Sequence, residues 1–461
     1  MRLDQLLSII KQYFIFAAFG VAILSLILYL GYSLIYKKKM KGKKSLTPRQ
    51  VIFGIMILGY LLMVLSVTFL SRGSNYPSSV NLHLFSSYKE AWNTFTLRNW
   101  QFVILNIVMF IPLGILLPLL NKMFHSSVRT IGAGLLLTLS IEMFQLILKL
   151  GIFEIDDIFN NVLGTILGYS LFMCIYTLVN GQTRKLPKHI LPILIVVAVF
   201  GGIFIRYDKQ EYGNLYFDYV YKFNLKNTRV DSKVEFNEEE KIVPVYYTKS
   251  YTFDEAEEFA ENFFDNIGVD SDNMDVTLMS EDILFKTSGY HLWLSGNKGT
   301  YNYTDFSSFD EGMKPESFPQ EEVLERLGEF GINIPHEAGF SSEEEGSYSW
   351  KVDKLIADNK MIDGYVTCIA YNDDSIKEIR NNLITWEKYK EVKIISEKEA
   401  YERLMVGKFN IWITDNKINS LEIIDVSLDY EADTKNFYRP VYVFKAIVNG
   451  EDYNIRIPAM K

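Results

Sequence analysis

The chain has 461 residues, of which 49% are hydrophobic and 22% are charged, and its net charge is −9. Residues 1–206 hold 19 Lys and Arg against 6 Asp and Glu, a net charge of +13, whereas the rest holds 28 against 50, a net charge of −22. This division into an apolar basic half and a polar acidic half excludes a single soluble globule, and it argues against nucleic-acid binding because the acidic half repels phosphate.

Six hydrophobic segments predict a polytopic, all-α membrane domain over residues 1–206. The first, Tyr13–Tyr36, has no charge in 24 residues, and lysines rather than a cleavage site follow it. Its helix of about 36 Å is long enough to span a bilayer, so we expect an uncleaved span rather than a signal peptide. The other predicted spans are Val51–Leu70, Phe102–Leu120, Thr130–Leu148, Ile158–Val179 and Ile190–Ile205.

The loops between these segments predict an orientation. Loops 37–50, 121–129 and 180–189 contain twelve Lys and Arg, whereas segments 1–12, 71–101 and 149–157 contain six. Because the more basic loops stay in the cytoplasm, we expect a multi-pass protein of the cell membrane whose N-terminus and C-terminal half are extracytoplasmic. This orientation requires an even number of spans.

Polar residues concentrate at one depth in this membrane domain. Glu142 lies inside a predicted span, where a charge costs about 3 kcal/mol, and Gln145 follows on the same helical face. Gly164 and Gly168 form a GxxxG pattern that favours close helix packing, and Pro112 with Gly114 predicts a bend. The polar side chains expected near one level are Asn106, Glu142, Gln145, Asp156, Asp157 and Asn161.

Three interpretations of this polar cluster remain open. The side chains could form an acidic pocket that takes a cation, an amine-bearing envelope precursor or a cationic peptide. Alternatively, they could only hydrogen-bond helices together, with Asp156 and Asp157 capping a helix. The sequence shows no His or Cys ligand set, Ser–His pair or phosphate loop, so we assign no cofactor, metal or catalytic residue. The third interpretation is a membrane enzyme that acts on lipid-linked precursors, with Glu142 as a base and with Asp156 and Asp157 holding a divalent cation.

Four ordered motifs between about residues 81 and 170 carry a resemblance to a known family. They are NLHLF at 81–85, NIVMFIPLG at 106–114, SIEMFQ at 140–145 and EIDDIFNNVLG at 154–164, with Gly168 after them. This pattern resembles the VanZ-like family of bacterial membrane proteins. The resemblance implies a polytopic envelope protein whose namesake raises resistance to the glycopeptide antibiotic teicoplanin.

The acidic half predicts an extracytoplasmic α+β domain over residues 246–461, joined to the membrane by a stalk at 207–245. Capping boxes starting at Thr252, Ser317 and Ser396 each precede an amphipathic segment and then alternating strands, which indicates degenerate repeats of a helix followed by antiparallel strands. Asn449-Gly450 is the strongest hairpin signal.

The last of these units, from Ser396 to Phe444, is similar to modules of YycH/YycI-type regulators and to PepSY-like domains. Such modules bind or restrain other proteins, which suits a half that shows no catalytic constellation.

These patterns lead to two functional hypotheses. In the first, the protein protects the envelope by limiting the access of a lipoglycopeptide or another cationic agent, which the acidic cluster contacts. In the second, the exported domain senses or restrains another envelope protein, and the helices are an anchor. The predicted partners are the lipid bilayer, an envelope precursor or lipoglycopeptide, and a membrane or envelope protein.

Overall fold

The computed structural model describes residues 47–70, 79–279, 282–307, 312–413 and 417–461. The chain divides into two units, Met1–Glu211 and Tyr212–Lys461. The first predicted span, Tyr13–Tyr36, lies outside the described residues, so the number of six spans remains a prediction.

The first unit is mainly helical over its described residues. Five of its helices are long and apolar enough to cross a membrane, and they lie at the positions of the five predicted spans after the first. A two-stranded parallel sheet joins β1 (Val80–Asn81) to β2 (Phe153–Glu154). The helices are α1 (Pro48–Leu65, continued by a π-helical turn at Ser66–Leu70), α2 (Ser86–Thr94), α3 (Leu97–Leu120), α4 (Ser127–Leu148), α5 (Ile155–Val179) and α6 (Leu186–Lys209).

Helix α3 lies at the centre of this bundle, because its buried side chains pack in two separate apolar clusters with different helices. Phe110 and Leu113 pack with Tyr60 and Val64 of α1 in one apolar cluster. A second cluster joins Trp100, Val103 and Ile107 of α3 to Ala91 of α2 and Leu167 of α5. This central position brings α3 against both α1 and α5.

The second unit is built on a mixed sheet that has fourteen strands within the described residues. The strands are β3 (Arg229–Ser232), β4 (Ile242–Tyr247), β5 (Asp275–Met279), β6 (Asp282–Thr287), β7 (Tyr290–Ser295), β8 (Tyr301–Asp305), β9 (Gly339–Ser341), β10 (Ser347–Ala357), β11 (Lys360–Ala370), β12 (Ile376–Asn381), β13 (Ile384–Lys393), β14 (Ser420–Ala432), β15 (Phe437–Val448) and β16 (Glu451–Pro458). The main path of the sheet runs β3-β14-β15-β4-β13-β11-β12-β8-β7-β6-β5; in addition, β10 pairs with β11, β9 with β10, and β16 with β15. Helices α7 (Phe253–Asn266), α8 (Gln320–Glu329) and α9 (Glu397–Met405) accompany the sheet.

Local sequence signals explain where several of these elements begin. Thr252 and Glu255 form the capping box of α7, and the side chain of Ser396 accepts a hydrogen bond at the start of α9. The capping box predicted at Ser317 is wrong: α8 begins after Pro319, and the Ser317 hydroxyl accepts the Gly346 N–H instead. The predicted repeat of three units stays a prediction.

The strongest hairpin signal is confirmed. The strands β15 and β16 pair directly on either side of Asn449 and Gly450. Both turn residues have positive φ, 53° and 93°, as a type I′ turn requires.

The stalk predicted at residues 207–245 is wrong, because much of this segment belongs to the sheet unit. Leu215 and Phe217 are buried against β15, and Phe223 joins the core around α9. The strand β3 pairs in parallel with β14, and β4 pairs with β13. The many charged residues of this segment led to the stalk prediction, although its few large apolar side chains belong to the core of the sheet unit.

A buried ion pair gives a test of the sheet unit. Lys377 on β12 is 1% exposed, and its ammonium lies 3.1 Å from Asp305 on β8. We expect Asp305→Asn to lower the free energy of unfolding by about 3 kcal/mol, because it removes the negative charge that lies beside a buried ammonium group. Urea unfolding of the purified protein in detergent, followed by tryptophan fluorescence, measures this change.

The matched control is Glu422→Gln, which removes the surface ion pair of Glu422 with the largely exposed Lys233. Its expected cost is below about 1 kcal/mol. Equal unfolding midpoints for the two variants would contradict the assigned importance of the buried pair.

Candidate functional site

The predicted polar residues lie on three neighbouring helices, α3, α4 and α5. On α4, Thr138, Glu142 and Gln145 form one buried stripe with the i, i+4, i+7 spacing of a single helical face. On α5, Asp156 and Asn161 are also buried. Polar side chains are therefore placed inside the bundle rather than on its apolar exterior.

Asp156 has a structural partner that the sequence did not reveal. Its carboxylate accepts the backbone N–H groups of Phe85 at 2.6 Å and Ser87 at 2.8 Å, and also the hydroxyls of Ser86 and Ser87. No side chain of α2 itself caps that helix, so Asp156 supplies the cap from α5. Four donors occupy this carboxylate, which leaves it poorly suited to bind a ligand.

Asp157 and Asn106 connect α5 to α3. The Asn106 side-chain amide donates to the Asp157 carboxylate over 2.5 Å, and both side chains are half-buried. Asp156 and Asp157 also lie in the first turn of α5, where the helix dipole stabilises negative charge. The carboxylate of Asp156 therefore contacts the start of α2, whereas that of Asp157 contacts α3.

The acceptor-rich part of the site consists of Glu142, Gln145 and Asn161. A Glu142 carboxylate oxygen accepts the Glu154 N–H at 3.2 Å. The Gln145 amide donates to the Thr68 carbonyl at 3.2 Å, and the Asn161 amide donates to the Thr138 hydroxyl at 2.8 Å.

The carbonyl oxygens of these two amides are the unusual feature. Gln145 Oε1 and Asn161 Oδ1 are buried and have no hydrogen-bond partner among the described residues. The partner of the Gln145 amide nitrogen is a carbonyl, so turning the amide over would bring two acceptors together. An unsatisfied buried acceptor costs about 1–3 kcal/mol, so these oxygens favour a bound donor or cation.

Close contact between α3 and α5 holds the site together. A side chain at Gly164 or Gly168 would overlap the carbonyl oxygens of Ile107 or Ile111, and one at Gly114 would overlap the Thr165 carbonyl. Pro112 lies within α3 and offers no N–H to the preceding turn. The predicted small residues thus lie where two helix backbones meet.

Several site residues were missing from the sequence prediction. Thr138 lies four residues before Glu142 on the same helical face, so the helical period could have identified it. The hydroxyl of Tyr88 donates to Asn160 at 2.5 Å, and the carbonyl of Thr68 accepts from Gln145. These partners are 72 and 77 residues away in the sequence, so no local pattern indicated either residue. Gly134 also packs directly against Thr165.

The site has oxygen acceptors rather than a dense set of metal ligands. Within the described ranges, no three His, Cys, Asp or Glu side chains are grouped so that they could hold a metal ion. Its chemistry is that of a few carboxylate and amide oxygens in an apolar bundle, which suits a hydrogen-bond donor with a positive charge.

The Asp156 cap can be tested by amide hydrogen exchange. We expect Asp156→Asn to destabilise α2 by about 1–2 kcal/mol, the usual value of an N-cap, and to accelerate exchange over residues 85–94 about tenfold. Asp157→Asn is the control, because its bond goes to α3 rather than to α2. Equal exchange of this peptide in both variants would rule out the cap.

The comparison with protein families covers the segment that contains this site. Residues 57–177 match the family model VanZ/LLP1. This match confirms the VanZ resemblance predicted at about residues 81–170, and together with the apolar helices it supports a multi-pass membrane protein. No curated protein matches the chain.

Two solved structures show a weak similarity to part of the chain. An uncharacterized protein from Eubacterium rectale ATCC 33656 is 10% identical, and the match covers 47% of this chain and 82% of that one, with a TM-score of 0.22. The Bacillus megaterium YpeB C-terminal domain is 10% identical, with coverages of 46% and 95% and a TM-score of 0.18. Scores this low define neither the fold nor the function.

Proposed function

We propose that this VanZ-like membrane protein acts in the bacterial cell envelope and lowers susceptibility to glycopeptide antibiotics of the teicoplanin type. The observation that carries the proposal is the buried acceptor group of Glu142, Gln145 and Asn161, which we call the acceptor cluster. It lies within residues 57–177, the segment that matches the VanZ family model. The proposal places the N-terminus and the sheet unit outside the cytoplasm.

The chemistry of the acceptor cluster limits its ligand. Glu142 is 2% exposed, and the two unpartnered carbonyl oxygens belong to side chains that are 1% and 3% exposed. Such oxygens accept hydrogen bonds but donate none, so an ammonium or another cationic donor is favoured over an anion. An amine-bearing antibiotic or envelope precursor has these properties.

The arrangement also explains how binding would affect the helices. Asn161 on α5 contacts Thr138 on α4, and Gln145 on α4 contacts the π-helical turn after α1. A donor held by the acceptor cluster would therefore engage side chains that already bridge three helices. Removing the Glu142 charge would weaken ligand binding while leaving these bridges in place.

The substitution Glu142→Gln tests the proposal, because it removes the charge and keeps the volume. We expect a host that produces this variant to show at least fourfold greater teicoplanin susceptibility than one with the wild-type protein. The minimum inhibitory concentration measures the effect, with the protein level in the membrane checked by immunoblot.

Glu90→Gln is the matched control, since Glu90 is an exposed carboxylate on α2 and its loss should leave protection unchanged. Asp157→Asn should also reduce protection, because Asp157 joins α3 to the site. Wild-type protection in both the Glu142 and Asp157 variants would overturn the proposal and leave the polar residues a role in helix packing alone.

A further inference from the structure

One part of the large sheet has a helix-covered face and an open face. On β7 and β8, Leu292, Leu294, Tyr301 and Tyr303 are buried in the core that includes α7 and α8. Successive side chains of a strand point to opposite faces, so the residues between them lie on the other face. That face carries polar and aromatic side chains.

The strand register places these side chains in ordered rows. Trp293 on β7 lies opposite Asn302 on β8, which lies opposite Arg380 on β12. Thr304 and Glu378 form the next row, and the Asn382 N–H donates to the Tyr365 carbonyl on β11. The rows line two cavities of about 430 and 270 Å³, which share Trp293, Asn302 and Asn382 and so form one groove.

The polar side chains of this groove have unused hydrogen-bonding capacity. In the described part of the chain, no hydrogen bond or ion pair engages the side chains of Asn302, Thr304, Glu378, Arg380 and Asn382. Hydroxyl, amide, carboxylate and guanidinium groups thus offer both donors and acceptors along one surface.

Two aromatic side chains mark the width of the groove. Trp293 is on β7 and Tyr365 on β11, three strands away in the order β11-β12-β8-β7. At about 4.8 Å per strand this separation is roughly 14 Å. Tyr365 is 42% exposed, so its ring is available to a ligand.

We propose that this groove binds a neutral oligosaccharide of pyranose units. Sugar hydroxyls both donate and accept, which matches the mixed side chains of the groove, and aromatic rings pack against the apolar faces of sugar rings. The groove lining holds the carboxylates of Glu378 and Asp282 against the one guanidinium of Arg380, and the net charge over residues 207–461 is −22, so a polyanion is disfavoured. An extended peptide would instead pair with a sheet edge.

Isothermal titration of the full-length protein tests this site, in a detergent without a sugar headgroup. The probes are cellotetraose and the tetramer of N-acetylglucosamine, which separate plain from N-acetylated sugars, and polygalacturonate represents a polyanion. We expect at least one neutral tetramer to bind, and Trp293→Ala to weaken that binding fivefold or more.

Tyr365→Ala should weaken tetramer binding to a similar extent, so the test does not depend on the correct folding of the Trp293→Ala variant alone. Trp412→Ala is the matched control, because Trp412 is 81% exposed and lies outside both cavities. Three results would each overturn the proposal: no binding of either neutral tetramer at 10 mM, equal binding by wild type and both aromatic variants, or tighter binding of polygalacturonate. None of them bears on the antibiotic susceptibility of the Glu142 variant.

Discussion

The membrane unit depends on direct backbone contact between α3 and α5. Gly164 and Gly168 of α5 lie against carbonyl groups of α3, and Gly114 of α3 lies against α5 in return. In a bilayer, apolar burial contributes little to helix association, so close packing of small residues has to supply it. This contact sets the separation of the two helices that carry Asn106, Asp157 and Asn161.

Close contact of these helices also makes the polar interior possible. The Asn106–Asp157 hydrogen bond spans α3 and α5, and the Asn161–Thr138 bond spans α5 and α4. Each of these hydrogen bonds requires that the amide and its acceptor lie at the same depth on neighbouring helices and that the helix separation is fixed. In the same interior, the buried carbonyl oxygens of Gln145 and Asn161 have no hydrogen-bond partner among the described residues.

The sequence was sufficient for features that depend on composition or local spacing. The five described spans, the capping box at Thr252 and the turn at Asn449-Gly450 arise from hydropathy, caps and turn chemistry. Contacts between distant segments were beyond such reasoning. Asp156 caps a helix about 70 residues earlier, and Leu215 and Phe217 pack on β15. Neither contact produces a pattern in the residues that flank it in the sequence.

The parallel pairing of β3 with β14 has a consequence for how the protein is made. Ser420–Ile423 lie beside Arg229–Ser232, and the hydroxyl of Thr228 bonds to a carbonyl 190 positions later. The strand β3 therefore cannot pair with β14, and its neighbouring apolar side chains stay uncovered, until the roughly 190 residues that separate the two strands have been synthesised. Closing so long a loop is slow, and during this interval the domain is the most exposed to proteases and to chaperones.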